Sequence, residues 1–284
     1  MTQAPPPSSP GALRTAADTS PDAGSDRSDR SGSRAGRLLL VPVPLDFGCS
    51  EQSPITQVLP DATLEAAAGL THWICENAKS LRAVLKRVES IHPLALPLQQ
   101  QVITELPREL HKKGDTGAGF DARPLLQAAL AGHDIGLASE AGMPAVADPG
   151  ASVARAAHAM GLEVIPLVGP SSLLLALAAS GLGGQNFAFV GYLPQDAAAR
   201  TQRIRALESL ALREGQAQLF IETPYRNMAL FQALLQALQP STQLSVSSGL
   251  TLASGRTRSM PVREWKKQAA EGVGDAPAVF AIGR

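Results

Sequence analysis

The chain has 284 residues, of which 44% are hydrophobic and 18% are charged. This length allows one large domain or two domains of ordinary size, and the apolar fraction is sufficient for a hydrophobic core. The 25 basic and 25 acidic residues balance. A general electrostatic attraction to nucleic acid or to an anionic membrane is therefore not expected, although a local basic patch stays possible.

Several common kinds of site are absent from the sequence. Cys49 and Cys75 make neither a CxxC motif nor a secreted disulfide framework, so we expect free thiols in a reducing compartment. The five histidines lack the spacing of metal ligands, and no GxxxxGK[ST], GxGxxG, HExxH or GxSxG motif occurs. No apolar run could span a bilayer and the amino terminus does not resemble a signal peptide, so we expect a cytoplasmic protein without metal or membrane contacts.

The first 36 residues differ in composition from the rest. Pro, Ser, Gly, Ala, Asp and Arg dominate them, and Leu13 is the only large apolar residue after Met1. Such a segment cannot bury enough surface to offset the entropy lost on ordering. We predict a disordered tail over residues 1–36.

From Arg37 onward, apolar strands alternate with amphipathic helices, which is typical of a parallel sheet. The predicted elements are a strand over residues 37–44, a helix over 64–70, a strand over 72–76, a helix over 80–88, a polar loop over 106–119 and a helix over 125–131.

The segment from His133 to Gly181 contains two strand–loop–helix passages in succession. Strands are predicted over residues 134–139 and 162–168, and helices over 151–160 and from Ser171-Ser172 to Gly181. The loop after each strand is rich in Gly and Pro. Ligands of open parallel sheets bind outside the carboxyl ends of the strands. Both loops are therefore predicted to line a ligand crevice.

Two residues in these loops also have purely structural explanations. Asp148 precedes Pro149, as an N-cap precedes a proline at the first helical position. Ser171 follows Gly169-Pro170 and is a second candidate N-cap. For Asp148 we leave a capping role and a ligand role open with about equal weight.

After Gly181 the order of elements predicts a mixed sheet. Strands are predicted over residues 187–193, 218–223, 243–249, 257–262 and 278–282, and helices over 197–213, 225–238 and 264–270. The third and fourth of these strands are close enough in sequence to form an antiparallel pair. We therefore predict an α/β protein with a parallel amino-terminal domain over residues 37–169, a mixed carboxyl-terminal α/β domain over 170–284, and a cleft between them.

Six segments together resemble the tetrapyrrole (corrin/porphyrin) methylase superfamily, and within it the branch that contains the 16S ribosomal RNA cytidine 2'-O-methyltransferase. They cover the chain from Arg37 to the carboxyl terminus in the order of that family. The segments are VPVP (residues 41–44), ENAKSLRAVLK (76–86), SEAGMPAVADPG (139–150), VGPSS (168–172), FVGYLP (189–194) and ETPYR (222–226).

The resemblance implies a homodimeric methyltransferase that folds S-adenosylmethionine into the cleft between its domains. By position, the expected cofactor contacts are Pro42, Met143, Val146, Ser171, Ser172, Phe220, Pro277 and Ala278. Because the sulfonium is already a strong electrophile, positioning and exclusion of water are the main catalytic requirements. The candidates for an optional general base are Glu76, Glu140 and Glu222.

The implied acceptor is a ribose 2'-hydroxyl of ribosomal RNA in the small subunit. The expected substrate contacts are Lys79, Arg82, Tyr225 and Arg226. Three departures from the RNA-methylating branch place the chain in a sister group: Glu76-Asn77-Ala78-Lys79, Met143, and SSGLTLASG at residues 247–255. Methylation of a tetrapyrrole or another small molecule, cofactor sensing without catalysis, and plain phosphate or nucleotide binding remain alternatives.

Overall fold

The structure is a computed structural model. It describes residues 34–113, 115, 119–268 and 273–284, with the backbone alone at residues 111–113. Residues 1–33 of the predicted tail lie outside the described residues, as do residues 269 and 270 of the predicted helix 264–270. Arg34–Arg284 form one compact unit, and the division into domains at residues 169 and 170 falls inside this unit and stays a proposal.

The first sheet has five strands in the order β3-β2-β4-β1-β5, and every neighbouring pair is parallel. This confirms the predicted parallel sheet. The strands are β1 (Leu38–Leu40), β2 (His72–Cys75), β3 (Val102–Glu105), β4 (Ile135–Ala138) and β5 (Val164–Pro166).

Short helices connect these strands. They are α1 (Ile55–Val58), α2 (Asp61–Gly69), α3 (Ala78–Glu89), α4 (Arg108–Lys113), α5 (Gln127–Leu130) and α6 (Ala151–Ala159), with 3-10 turns at Leu98–Gln100 and Arg123–Leu126. The prediction of a loop over residues 106–119 was wrong in part, because α4 lies within it. Strand β3 and helix α1 were not predicted. Strand β3 lies at the sheet edge and is mostly exposed, so it lacks the apolar run that marks a buried strand.

The second sheet has the order β6-β7-β10-β8-β9. Its first pair is parallel and the others are antiparallel, which confirms the mixed sheet and the pairing of β8 with β9. Its elements are α7 (Ser172–Ser180), β6 (Phe187–Tyr192), α8 (Ala197–Glu214), β7 (Ala217–Glu222), a 3-10 turn (Pro224–Arg226), α9 (Asn227–Ala237), β8 (Gln243–Ser248), β9 (Arg256–Pro261), α10 (Val262–Lys267) and β10 (Ala278–Gly283).

Each sheet is covered on both faces. Leu38 and Leu39 are adjacent in β1 and belong to hydrophobic clusters on opposite sides of the first sheet, as expected where successive side chains point to opposite faces. In β10, Val279 packs with Leu173 of α7 while Phe280 packs on the other face. Helix α7 therefore belongs to the core of the second sheet.

The loops that follow β1, β4 and β5 meet at the carboxyl edge of the first sheet. Val43 and Gly142 form an antiparallel bridge through two hydrogen bonds of 3.0 and 3.1 Å between their backbones. Gly169 approaches Pro42 so closely that a Cβ at residue 169 would lie 2.3 Å from Cγ of Pro42. These contacts hold three loops together and form one wall of a cleft.

We expect Gly169→Ala to destabilise the protein by about 1–3 kcal/mol, because the added methyl group must displace a proline ring and the backbone that carries it. Gly183→Ala is the control, since a Cβ there meets nothing within 4 Å, and its effect should stay within about 0.5 kcal/mol. Urea denaturation measures both. Equal stability of the two variants would contradict the close packing of these loops.

Candidate functional site

A cleft of about 800 Å³ lies between the carboxyl edge of the first sheet and the second sheet. This volume is within the range of small-molecule binding sites in proteins. The walls come from loops after β1, β4, β5, β7 and β8 and from the start of β10. The lining segments are residues 47–51, 141–143, 146–148, 171–173, 221–224, 249–250 and 275–279, with single contributions from Leu45, Tyr192, Leu252 and Ser254.

The loop after β4 has an unusual backbone. Ala145 and Ala147 have positive φ angles of 63° and 68°, and Gly142 has a φ of 73°. Residues with a Cβ seldom adopt this conformation, and such strain is often found where a loop is shaped for a ligand. The strained residues immediately precede Asp148, which lines the cleft.

Asp148 does not cap helix α6. The N-cap position is Gly150, and the cap is supplied by Asp115, whose Oδ2 accepts hydrogen bonds from the backbone N–H groups of Gly150 and Ser152, both at 2.8 Å. The capping explanation of Asp148 was therefore wrong. Its carboxylate makes no hydrogen bond to any residue that the structure describes and is left available to the cleft.

Two further carboxylates lie close to Asp148. Glu76 follows β2 and Glu140 follows β4, and Oε1 of Glu76 accepts a hydrogen bond of 3.2 Å from the backbone N–H of Glu140. Ser80 of α3 donates to Oε1 of Glu140 at 3.4 Å. Burial, and then the negative charges of Glu76 and Glu140, raise the pKa of Asp148 to about 7. Asp148 can therefore bind and release a proton near neutral pH.

The opposite wall carries an ion pair. Oε1 of Glu222, which is buried, accepts hydrogen bonds from Nε of Arg226 at 2.9 Å and from the backbone N–H of Thr223 at 2.8 Å. The Arg226 guanidinium also lies 5.2 Å from the ring centre of Tyr225. Nearby, desolvation and then the carboxylates Asp148 and Glu222 raise the pKa of Tyr192.

Hydrogen bonds join the two halves of the cleft. The Glu51 carboxylate, in the loop after β1, accepts from the backbone N–H of Ala253 at 2.9 Å and from Oγ of Ser254 at 2.7 Å. Asp46 fixes the base of the same loop through a salt bridge of 2.9 Å to Arg87 of α3. The loop therefore links the first sheet to the β8–β9 connection beside the cleft.

Six of the eight expected cofactor positions line the cleft, and they are Met143, Val146, Ser171, Ser172, Pro277 and Ala278. The structure places the other two elsewhere. Pro42 is buried against Gly169, and Phe220 is completely buried in the core of the second sheet. Since side chains alternate along β7, its neighbour Ile221 lines the cleft instead.

The three candidate bases occupy different positions. Glu222 lines the cleft, whereas Glu76 and Glu140 lie beside Asp148 and are not part of the lining. Of the expected substrate contacts, Lys79 and Arg82 are exposed on α3. Tyr225, which is 80% exposed, and Arg226 follow Pro224 of the cleft wall.

Sequence reasoning did not select Tyr192 or the Glu51–Ser254 contact as part of the site. Nothing in the sequence indicates that residues 51 and 254 meet. Tyr192, by contrast, lies inside the matched segment FVGYLP and could have been selected from it.

Both cysteines are free. Burial, and then the charge of Glu105, raise the pKa of Cys75 to about 12, so its thiol is unreactive at neutral pH. Among the described residues no group of three or more His, Cys, Asp or Glu side chains is placed to hold a metal ion. In the same part of the chain, no helix is both long enough and apolar enough to cross a membrane.

Comparison with known proteins finds relatives and a shared fold. The chain is 32% identical over 154 residues to the Ribosomal RNA small subunit methyltransferase I of Pseudomonas aeruginosa, and 31% identical over 143 residues to that of Vibrio cholerae. These matches cover 54% and 50% of this chain and 51% and 48% of the two relatives, so they span about half of each protein. No protein-family model matches the chain.

Two solved structures share the fold. The methyltransferase CobJ superposes with a TM-score of 0.51 at 16% identity, covering 88% of this chain and 95% of CobJ. The uroporphyrin III C-methyltransferase of Thermus thermophilus superposes with a TM-score of 0.50 at 18% identity, covering 88% and 98%. The two-sheet α/β architecture is thus the fold that the chain shares with these two methyltransferases, and the cleft lies between its two sheets.

The raised pKa of Asp148 predicts a pH dependence of the stability of this protein. Because the folded-state pKa of about 7 exceeds the ordinary value of 3.8, the folded state binds more protons than the unfolded state between these pH values. Stability should therefore fall as the pH rises through this window. We expect Asp148→Asn to become more stable than the wild type by about 1–4 kcal/mol at pH 8, with little difference at pH 4.

Urea denaturation at several pH values measures this difference. Asp121→Asn is the control, because a hydrogen bond from Arg123 lowers the pKa of the exposed Asp121 carboxyl. Replacing this carboxyl should therefore not stabilise the protein as the pH rises. Parallel pH–stability curves for Asp148→Asn and the wild type would contradict the raised pKa.

Proposed function

We propose that this protein is an S-adenosylmethionine-dependent methyltransferase that binds its cofactor in the cleft. The observation that carries the proposal is that six positions, assigned from separate sequence segments, line one cavity of about 800 Å³. They come from three regions of the chain, around residues 143, 171 and 277. The relatives named Ribosomal RNA small subunit methyltransferase I support the same activity.

The residues of the cleft fit the chemistry of this cofactor. Met143, Val146, Ile221 and Leu250 give an apolar surface suited to an adenine ring. The start of α7, at Ser171 and Ser172, presents backbone N–H groups to the cleft, and Ser171 makes no side-chain cap. Such a helix start suits a carboxylate. When bound, S-adenosylmethionine supplies a methyl group activated by its sulfonium.

The protein's own residues have three tasks in this proposal. The loops from the two sheets exclude water and orient the acceptor, which accounts for much of the acceleration in methyl transfer. Asp148 and Glu222 place negative charge in the cleft, where a cationic donor is favoured. The Glu51–Ser254 contact holds the two halves of the site together.

We propose a ribose 2'-hydroxyl of small-subunit ribosomal RNA as the acceptor. The names of the relatives support this choice, as do the exposed cations Lys79 and Arg82 at the start of α3. Tyr225 offers an exposed ring on which an unpaired base can stack. Arg226 is held by Glu222 and is less available to a phosphate. This substrate also implies the cytoplasmic location that we propose.

The cofactor proposal predicts that calorimetry detects binding of S-adenosylmethionine and S-adenosylhomocysteine but not of ATP. Val146→Trp should weaken the binding of both compounds by about tenfold or more, because the large ring would fill space in the cleft at a lining position that is 42% exposed. Val102→Trp makes the same change at an exposed position on the edge strand β3 and should bind like the wild type. Absence of binding to both sulfur compounds would refute the proposal.

Transfer of a labelled methyl group tests the acceptor. Small ribosomal subunits from a strain that lacks the protein should incorporate label, and nuclease digestion should locate it on a ribose. Incorporation into a tetrapyrrole instead would identify the alternative substrate. Cofactor binding without transfer to either acceptor would favour a sensor.

We also propose that the protein is a homodimer that uses the outer face of α7. Leu174 and Leu175 are 56% and 40% exposed on this helix, and Val168 in the preceding loop is 70% exposed. A helix that is apolar on all sides is normally buried on all sides. A second copy of the chain is the partner that would cover this face.

The dimer proposal predicts twice the monomer mass in sedimentation equilibrium and a shift to monomer for Leu174→Asp. Leu130→Asp is the matched control, because Leu130 is 50% exposed on α5 and should leave the dimer intact. A monomeric wild type at micromolar concentration would refute the proposal.

A further inference from the structure

Asp148 lines the cleft, and its carboxylate makes no hydrogen bond or ion pair with any residue that the structure describes. We propose that the carboxylate of Asp148 is the general base that accepts the proton of the acceptor hydroxyl during methyl transfer. This inference rests on the proposed methyltransferase function. It implies that the methyl acceptor belongs to the class of molecules whose nucleophile is a hydroxyl oxygen.

The position of Asp148 carries the inference. It lines the cleft, in a loop shaped by the positive φ angles of Ala145 and Ala147. Pro149 follows it and limits the local backbone. Helix α6, which begins just beyond, takes its cap from Asp115. The loop therefore directs into the cleft a carboxylate that helix α6 does not need as a cap.

The other acidic residues are less suited to this role. Asp275 and Glu51 also line the cleft, but Asp275 is exposed to solvent, and Glu51 accepts hydrogen bonds from Ser254 and from the backbone of Ala253. The Glu222 oxygen Oε1 is held by Arg226 and by the backbone N–H of Thr223, so protonation would break an ion pair. Glu76 and Glu140 do not line the cleft, and Glu140 receives a hydrogen bond from Ser80. Among the described carboxylates of this region, Asp148 alone lines the cleft, is partly buried and makes no hydrogen bond or ion pair.

The charged surroundings match the task. Glu76 and Glu140 face Asp148 from the ends of β2 and β4, and together with burial they keep its pKa near 7. Across the cleft, Tyr192 lies near Asp148, while the Glu222–Arg226 pair adds charges that nearly cancel. A base is most effective when its pKa lies near the working pH.

Proton transfer to Asp148 accompanies the transfer of the methyl group. As the oxygen–carbon bond forms, the carbon–sulfur bond of the methyl donor breaks and its electron pair remains on sulfur. The hydroxyl proton passes to a carboxylate oxygen of Asp148. Asp148 later releases this proton to solvent, and no other co-reactant is needed.

Asp148→Asn tests the inference, because it keeps the shape of the side chain and removes the proton acceptor. We expect kcat to fall about 100-fold or more, while the Kd for S-adenosylhomocysteine changes by no more than about threefold. Asp148→Glu, which restores a carboxylate, should recover part of kcat. Asp121→Asn, an exposed change whose partner is Arg123, should leave both quantities unchanged.

Two measurements separate a base from a structural residue. In the wild type, kcat should rise with pH through about 7, and Glu76→Gln or Glu140→Gln should move this rise to lower pH because each removes a negative charge that raises the pKa of Asp148. Carbon-13 NMR of the cofactor-free protein should show Asp148 titrating near 7 and shifting in the same direction in these variants.

The outcomes distinguish this inference from the proposed function. If the wild type neither binds S-adenosylhomocysteine nor transfers methyl groups, the proposed function fails and the inference fails with it. If the wild type is active but Asp148→Asn keeps its kcat within about threefold, only the inference is overturned. Loss of cofactor affinity without loss of kcat, or a titration of Asp148 near pH 4, would also overturn the inference alone.

Discussion

Gly169 allows the loop after β5 to pack directly on Pro42 of the loop after β1, and the Val43–Gly142 bridge attaches the loop after β4 to the same group. The carboxyl ends of parallel strands already share one edge of a sheet. Close contacts between the loops join them into a continuous wall. A side chain at residue 169 would push two of these loops apart, so the geometry of the cleft depends on a missing Cβ.

Asp115 caps helix α6 and Asp148 does not, and this difference follows from the same packing. Helix α6 begins at the cleft, and one carboxylate must satisfy the N–H groups of its first turn. Asp115, whose side chain is 5% exposed, performs this structural task from a segment 35 residues earlier in the sequence. Asp148 is consequently not needed as a cap, and burial without a hydrogen-bonding partner raises its pKa. A structural carboxylate and a chemically available one thus lie at the start of one helix.

Local sequence patterns predicted both sheets because buried strands are short apolar runs and their helices have a helical period. Strand β3 was missed since an edge strand needs no apolar run, and α4 was missed because its polar residues resemble a loop. Six of the cofactor positions expected from the family motifs line the cleft. Phe220 does not, because it lies on the other face of β7 from its neighbour Ile221. Contacts between distant residues had no local signal. Glu51 and Ser254 are 203 residues apart, and Asp115 supplies the cap of α6 that the sequence left open as one of two roles for Asp148.

The charges around the cleft constrain how a polyanionic acceptor could enter it. Glu76, Glu140 and Asp148 make one side acidic, and Glu222 on the other side neutralises Arg226. This environment favours a cationic methyl donor and disfavours several phosphates at once. The exposed cations Lys79 and Arg82 lie instead on α3, which contacts the site through the hydrogen bond from Ser80 to Glu140. If the acceptor is the RNA that we propose, its backbone would therefore lie along α3, outside the cleft, and a single nucleotide would enter with its ribose near Asp148.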